Sequence, residues 1–413
     1  MARVLTVEQG YELVNALYHQ ITGQEAVTAV DLGTFTAVAS GIMKQTNNQI
    51  YKGLTEMLSR LVISIRPYNA PFRLNWADED AYGAHVYKVS YLDNAEAEVN
   101  PAWTIADGQQ IGVHDVKLAK VYEADIWGAN TIMAHITITM DQIKTAMTSP
   151  RLNARFWSGL MTSIENQMEQ QREAMCRSNV LNLVGGVYSY KDTLDEDLLY
   201  MKQSTVHLVT EYATKFKKQH KTIQDIMAVP ADYQQFIKFV FARLNFLVKD
   251  MGNRDKMYHV NPYADPKLSG IVGAEGHEIM RHTAPQDMRA YLNYTYLSDI
   301  QTQVLTDVWN LEYLKLVPHE EVMYWQGREA PTKAVVNPLV MQKDGTTTQP
   351  GNLTIDNLFG VLFDKDACGV GVIRDDEGDT PYDVEKRAFN RYWSKDVKSW
   401  NDFTEKCIVL MMD

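Results

Sequence analysis

The chain has 413 residues, 45% of them hydrophobic and 22% charged, with a formal net charge of −12. That composition excludes a disordered tail, and the length suffices for two or three lobes around a sizeable core. The acidic balance, without any Lys/Arg stripe, excludes a nucleic-acid-binding surface; it suits a cytosolic enzyme, or a container wall that must not adhere to packed polyanion.

Residues 7–21 place Tyr11, Val14, Leu17 and Ile21 at helical spacing, and 48–62 repeat the pattern with Ile50, Leu54, Leu58 and Leu61. Between them, Val27 to Ala39 is small and threonine-rich, which predicts an extended arm. Val62 to Ile65 reads as a strand ended by Pro67, and Trp76 to Gly83 as an acidic turn region. Tyr87, Val89 and Tyr91 alternate with Lys88 and Ser90, which is strand period. A second alternating stretch covers 116–127. The two predict a long two-stranded excursion with a wide middle, about 93–112. Its aromatics have little local core to cover them, and such side chains seek a neighbouring surface.

Ile132 to Met140 alternates as a strand, and Asp141 opens a short helix. After Ser149-Pro150, where proline suits a first turn, one long helix is expected to about 183. Phe156, Leu160, Ile164, Met168 and Met175 form its apolar stripe. At 1.5 Å per residue it spans roughly 50 Å, a spine for other elements. Gly185-Gly186 is expected to end it. Further helices are expected at 206–218, with a basic end, at 231–249 and near 298–312. Val322 to Trp325 and Leu358 to Phe363 read as strands. Residues 327–353, rich in Pro, Thr, Gly and Lys, read as a surface loop or insertion. Phe389 to Trp393 and the apolar strand Cys407 to Met411 close the chain.

Reacting groups are sparse. Cys176, Cys368 and Cys407 lie far apart, with no C-x-x-C, and are expected to be reduced, partly buried thiols. His277 and His282 are five apart, whereas a helical zinc pair needs four. Gly270, Gly273 and Gly276 lack the Gly-Lys-Ser/Thr of a phosphate loop. The acidic run Asp375-Asp376-Glu377-Gly378-Asp379 lacks the closing glutamate of a calcium loop and reads as a solvated turn. No metal or cofactor is implied. The N-terminus has no apolar signal core, and no run of about 18 apolar residues occurs. Synthesis in the cytoplasm is expected, with exit only inside an assembly.

Several segments, read together, resemble the major capsid protein of short-tailed phages with the Hong Kong 97-type fold. They are Ala134 to Ile138 leading through Asp141 to Ala146 into the long helix; Asp299 to Asn310; and Leu362 to Ala367 followed by Phe389 to Trp393 and a terminal apolar strand. The resemblance covers about residue 27 to the C-terminus and departs at 327–353. It implies an α+β fold: an N-terminal arm (1–65), an extended β-hairpin loop (66–130), a peripheral domain with the spine helix (131–187), an axial domain (188–353) and C-terminal strands of the peripheral domain (354–413). It further implies pentamers and hexamers closing into an icosahedral shell around double-stranded DNA, without sequence-specific binding. A separate scaffolding protein and a portal are the implied partners, no membrane is, and the virion is the implied location.

Large aromatics anchor interfaces, so Trp76, Tyr82, Tyr87, Tyr91, Trp103 and Trp127 are the candidate contacts with neighbouring copies; packing within the chain is the competing role for each. Two other readings stand beside this one: another virion component, such as a portal-like or tail protein, or a soluble enzyme whose site is assembled from distant residues.

Overall fold

The computed structural model describes parts of 11–19 and residues 29, 32–43, 68, 70–77, 85–91, 106–107, 121–127, 129–192, 201–220, 222–260, 279–298, 318–341, 347–349, 351–378 and 383–413. Its helices are α1 (Leu32–Met43), α2 (Met140–Ala146), α3 (Pro150–Tyr188), α4 (Leu208–Phe216), α5 (Ile223–Met227) and α6 (Pro230–Met251). The strands begin with β1 (Trp76–Ala77), β2 (His85–Tyr91), β3 (Val121–Trp127), β4 (Ala129–Thr139), β5 (Thr205–His207), β6 (Met288–Asn293) and β7 (His319–Val322). They continue with β8 (Ala334–Val336), β9 (Val340–Met341), β10 (Thr347–Thr348), β11 (Leu353–Ile355), β12 (Leu358–Asp364), β13 (Cys368–Gly378), β14 (Ala388–Asn401) and β15 (Cys407–Met411).

The 39-residue helix α3 organises everything else. It spans about 58 Å at 1.5 Å per residue. Its N-terminal half lies with β4, α2 and β14, where Ile138, Ile143, Trp157, Ile164, Phe389 and Trp393 form one core. Its C-terminal half lies against a five-stranded sheet in the order β5-β15-β12-β6-β7. Alternate residues of β15 serve opposite faces of that sheet. Cys407, Val409 and Met411 meet the spine; Ile408 and Leu410 meet α4 and α6. Every residue of β12 and β15 is buried, which explains their unbroken apolar sequences. A second sheet, β1-β13-β14-β4, holds β4 by its whole length against β14.

The 27–39 segment is not an extended arm in its described part. Phe35, Val38, Ala39 and Ile42 recur at helical spacing and are buried on one face of α1. They pack with Val14, Trp157 and Trp393, and burial of that stripe overrides the modest helix propensity of the threonines between them. The expected helix at 48–62 and strand at 62–65 lie outside the described residues, as do 299–317.

Gly185 and Gly186 do not end the spine, which continues to Tyr188. They are helical because two segments pack closely there. A Cβ on Gly186 would stand 2.2 Å from the Phe403 ring, and one on Gly185 3.1 Å from Val336. Gly159, on the same helix, has nothing within 4 Å. Gly186→Ala is therefore expected to destabilise the chain by about 1–3 kcal/mol. Gly159→Ala should stabilise it by up to about 1 kcal/mol through helix propensity. Urea unfolding of the two variants checks the opposite signs.

Other boundaries also move. The strand expected at 322–325 ends at Val322, and Trp325 turns inward, fully buried, with Nε1 donating to Leu358 O at 2.9 Å. The acidic segment at 375–378 is strand, paired with 392–395, and not a turn. Cross-strand hydrogen bonds to β14 outweigh the low strand propensity of its acids. The 327–353 segment is not a featureless insertion: β8 pairs with β11 and β9 with β10, and Ala334 is fully buried. Nor do 354–413 stay together. β12 and β15 join β5 and β6 from 188–353, whereas β13 and β14 join β4. The chain crosses from the five-stranded sheet to the four-stranded one after β12 and returns after β14.

Candidate assembly site

β2 and β3 pair antiparallel, His85 opposite Trp127 through Tyr91 opposite Val121. Alternation of side chains across a strand separates the two faces of this ribbon. On one, Tyr87 is 59% and Val89 47% exposed. On the other, Lys88 reaches the body. Its Nζ donates to Asp402 Oδ2 at 2.8 Å, Asp366 O at 2.8 Å and Glu405 Oε1 at 3.2 Å.

This anchor is built with care. Asp402 is buried and also accepts from Thr404 N at 2.9 Å and Thr404 Oγ1 at 2.6 Å. Arg281 bridges to Glu405 at 3.3 Å and donates to Thr404 O at 3.2 Å. Burial pushes the Asp402 carboxyl up, but the Lys88 charge and the hydrogen bonds outweigh it, leaving Asp402 below the usual range. Burial leaves Glu405 above its ordinary value despite Lys88 and Arg281.

The chain entering the ribbon is fastened to α3. Ala70 N donates to Glu169 Oε1 at 3.2 Å, and Asn75 Nδ2 donates to Cys176 O at 3.1 Å. Arg172 grips Glu169 Oε1 at 2.7 Å and Phe72 O at 3.4 Å. Phe72 is fully buried at φ 65°, a strained conformation held by the rings of Tyr291 and Trp325. Beside it, a groove along α3 includes Tyr68, Glu173, Arg177 and Tyr324; Arg177 pairs there with Glu173 and donates to Tyr324 O at 2.8 Å.

The six candidate aromatics fare differently. Trp76 is not on the ribbon: it forms β1, opposite Val370, packs against the spine-side core and lies under Arg172 at 5.4 Å. Its apolar surroundings drew it inward. Tyr87 stands exposed on β2. Tyr91, paired with Val121, and Trp127, paired with His85, lie at the two ends of the ribbon backbone, on β2 and β3. Tyr82 and Trp103 lie outside the described residues. Lys88 escaped the sequence reading because its partners stand 278, 314 and 317 positions away; locally it is one polar position of an ordinary strand alternation.

Among the described residues no group of His, Cys, Asp or Glu is placed to hold a metal ion. His277, Asp78 to Asp80 and Asp379 lie outside them. The three cysteines are free and buried, and burial pushes the Cys176 thiol up to about 12. Such thiols are poor nucleophiles. No described helix is long and apolar enough to cross a membrane.

The capsid of Staphylococcus phage Andhra superposes on the chain with a TM-score of 0.50 at 10% identity, covering 84% of this chain and 86% of that one. The mature capsid of bacteriophage PhiM1 gives 0.44 at 12% identity over 84% and 88%. A structure of head fibre and inner core protein gp22 of native bacteriophage P68 gives 0.49 at 7% over 84% and 85%. No curated protein sequence matches. A spine helix shared by two sheets, with a two-stranded ribbon fastened at its side, is the Hong Kong 97-type fold of phage capsid subunits. The family model for the Phi29-like phage major capsid protein matches residues 14–410, and the chain belongs to that family. Its place is the virion.

Proposed function

We propose that copies of this chain close into an icosahedral shell of pentamers and hexamers around double-stranded DNA, and that the ribbon is the element by which each copy reaches the next. The observation that carries this is the two-sidedness of the ribbon: Lys88 holds one face to its own body while Tyr87 and Val89 are presented on the other. Aromatic anchors of this kind concentrate interface energy, and many weak contacts per subunit add by avidity. Tyr82, Tyr91, Trp103 and Trp127 are further candidate contacts with neighbouring copies; Trp76 serves the subunit's own packing. In this reading 131–187 is the peripheral region and the five-stranded sheet with α4 and α6 is the axial region.

A scaffolding protein and a portal act as partners, assembly begins in the host cytoplasm, and the acidic wall encloses DNA without reading it. The work is done by geometry, with no catalytic step. Expression of the full chain with and without its scaffold, followed by electron microscopy, tests the proposal. Hollow shells or five- and six-fold rings are expected, with Tyr87→Ala raising the concentration needed for assembly about tenfold. A persistent monomer at high concentration in both preparations would overturn it.

A further inference from the structure

Among the described residues, β4 is paired on one side only. It lies at the edge of its sheet, bonded to β14 along all eleven residues. Exposed edges of this length are ordinarily blunted by lysine, proline, a bulge or a charge. From Asn130 to Thr139 the sequence is Asn-Thr-Ile-Met-Ala-His-Ile-Thr-Ile-Thr, with no proline, glycine, acid, lysine or arginine. Ile132, Ala134 and Ile138 are buried under the sheet, and Thr131, Met133, His135 and Thr137 are exposed above it, Met133 by 53%. The contrast within the same sheet is informative. Among the described residues, β13 beyond its two-residue pairing with β1 is paired only with β14, and its sequence there carries three acids, Asp375, Asp376 and Glu377.

We propose that the open edge of β4 binds the same edge of a second copy, antiparallel about a two-fold axis, so that two four-stranded sheets become one of eight. This rests on the shell reading, which supplies the second copy. Length selects the partner. Among the described residues, β1 has two residues, β5 three and β7 four, and the ribbon strands have seven each; only β4 offers an uncharged edge as long as β4. An isologous contact needs one self-complementary surface, and this strand supplies it. In the register that overlaps the whole strand, Ala134 sits at the axis. Met133 then faces His135 of the other copy, Thr131 faces Thr137 and Ile132 faces Ile136. No acid or base meets its like, and Thr–Thr and Ile–Ile cross-strand pairs are favourable. A slip of one residue would place exposed positions opposite buried ones, which the pleat forbids.

The test is made on the full chain. Directly opposite Cβ atoms in an antiparallel pair lie about 4.5–5.5 Å apart, within a small adjustment of disulfide geometry. Met133→Cys/His135→Cys should give disulfide-linked dimers on mild oxidation, read on a non-reducing gel. The yield should exceed that of either single variant about tenfold, since each single cysteine faces a His or Met. The native Cys176, Cys368 and Cys407 are buried and do not compete. In that cysteine background, Thr131→Lys/Thr137→Lys should abolish the dimer by placing like charges opposite each other, and Thr131→Lys/Thr137→Glu should restore it. Shells that form with dimers at background level, as when a neighbour's ribbon takes the edge, would overturn this inference and leave the shell reading intact. Failure of the native chain to assemble would count against the shell reading instead; crosslinking in the soluble fraction would then decide the edge pairing by itself.

Discussion

Lys406→Ala is expected to cost about 2–4 kcal/mol of stability, from the cavity it leaves and the loss of its partner on Asp255, whose side chain stays 30% exposed. Lys406 is fully buried, yet charged. Its Nζ donates to Asn253 O at 2.6 Å and to Asp255 Oδ1 at 2.8 Å. The side chain thereby ties the residue just before β15, an interior apolar strand, to the loop that follows α6. Nearby backbone bonds share the load: Asp364 N donates to Lys406 O at 3.0 Å, and Cys407 N to Tyr258 O at 2.8 Å. Lys406→Met keeps the stem and removes the charge. It should cost far less, about 1–2 kcal/mol or nothing, because a well-packed apolar residue often replaces a buried ion without loss. Urea midpoints of the three proteins, at constant slope, test this. A shared midpoint for Lys406→Ala and the native chain would sink it.

Lys88→Met should free the ribbon without unfolding the body. Amides of 86–90 are expected to exchange about 10–100-fold faster, the equivalent of about 1.5–3 kcal/mol for hydrogen bonds made by a charged donor; amides of β12 and β15 should not change. The pH response has a definite sign. Asp402 is held below its ordinary value in the folded chain. Its contribution is therefore present above the ordinary aspartate range, about pH 4, and is lost as pH falls through its lowered value. Glu405 is raised, so its charge is a cost at neutral pH that protonation relieves. Acidification from pH 7 to about 5 should leave the ribbon protected, and protection should fall only below about 4. In Lys88→Met the force depressing Asp402 is gone and the anchor with it, so the acid-side loss of ribbon protection should largely disappear. Exchange measured across that range, with ribbon protection falling in step from pH 7 downward, would contradict the anchor described here.

Both effects concern residues that no local pattern singled out. What local pattern does reveal is periodicity. Alternation at Tyr87, Val89 and Tyr91 predicted β2, the stripe from Phe156 to Met175 predicted the spine, and the unbroken apolar runs at 358–363 and 407–411 predicted the two central strands. Where composition was read in place of period, the reading failed: of the threonine-rich 27–39, the residues from 32 on belong to a helix because Phe35, Val38, Ala39 and Ile42 share a face. Where a residue type was read without its neighbours it failed too. Gly185 and Gly186 signal a helix end in isolation, but Phe403 and Val336 need that space within a continuing helix.

Alone, the sequence determined the α+β character, the long rod, the ribbon, the absence of a local reactive motif and the resemblance to phage capsid subunits. These follow from spacings of a few residues and from composition, which a linear chain displays directly. Tertiary structure decided which strands share a sheet, that Trp76 faces inward while Tyr87 faces out, and that Lys88 and Lys406 each find an acid more than 150 positions away. It also decided that, among the described residues, β4 has one open edge. Burial, charge pairing and edge exposure are properties of positions in space, and no short-range period encodes which distant segment will come to lie alongside.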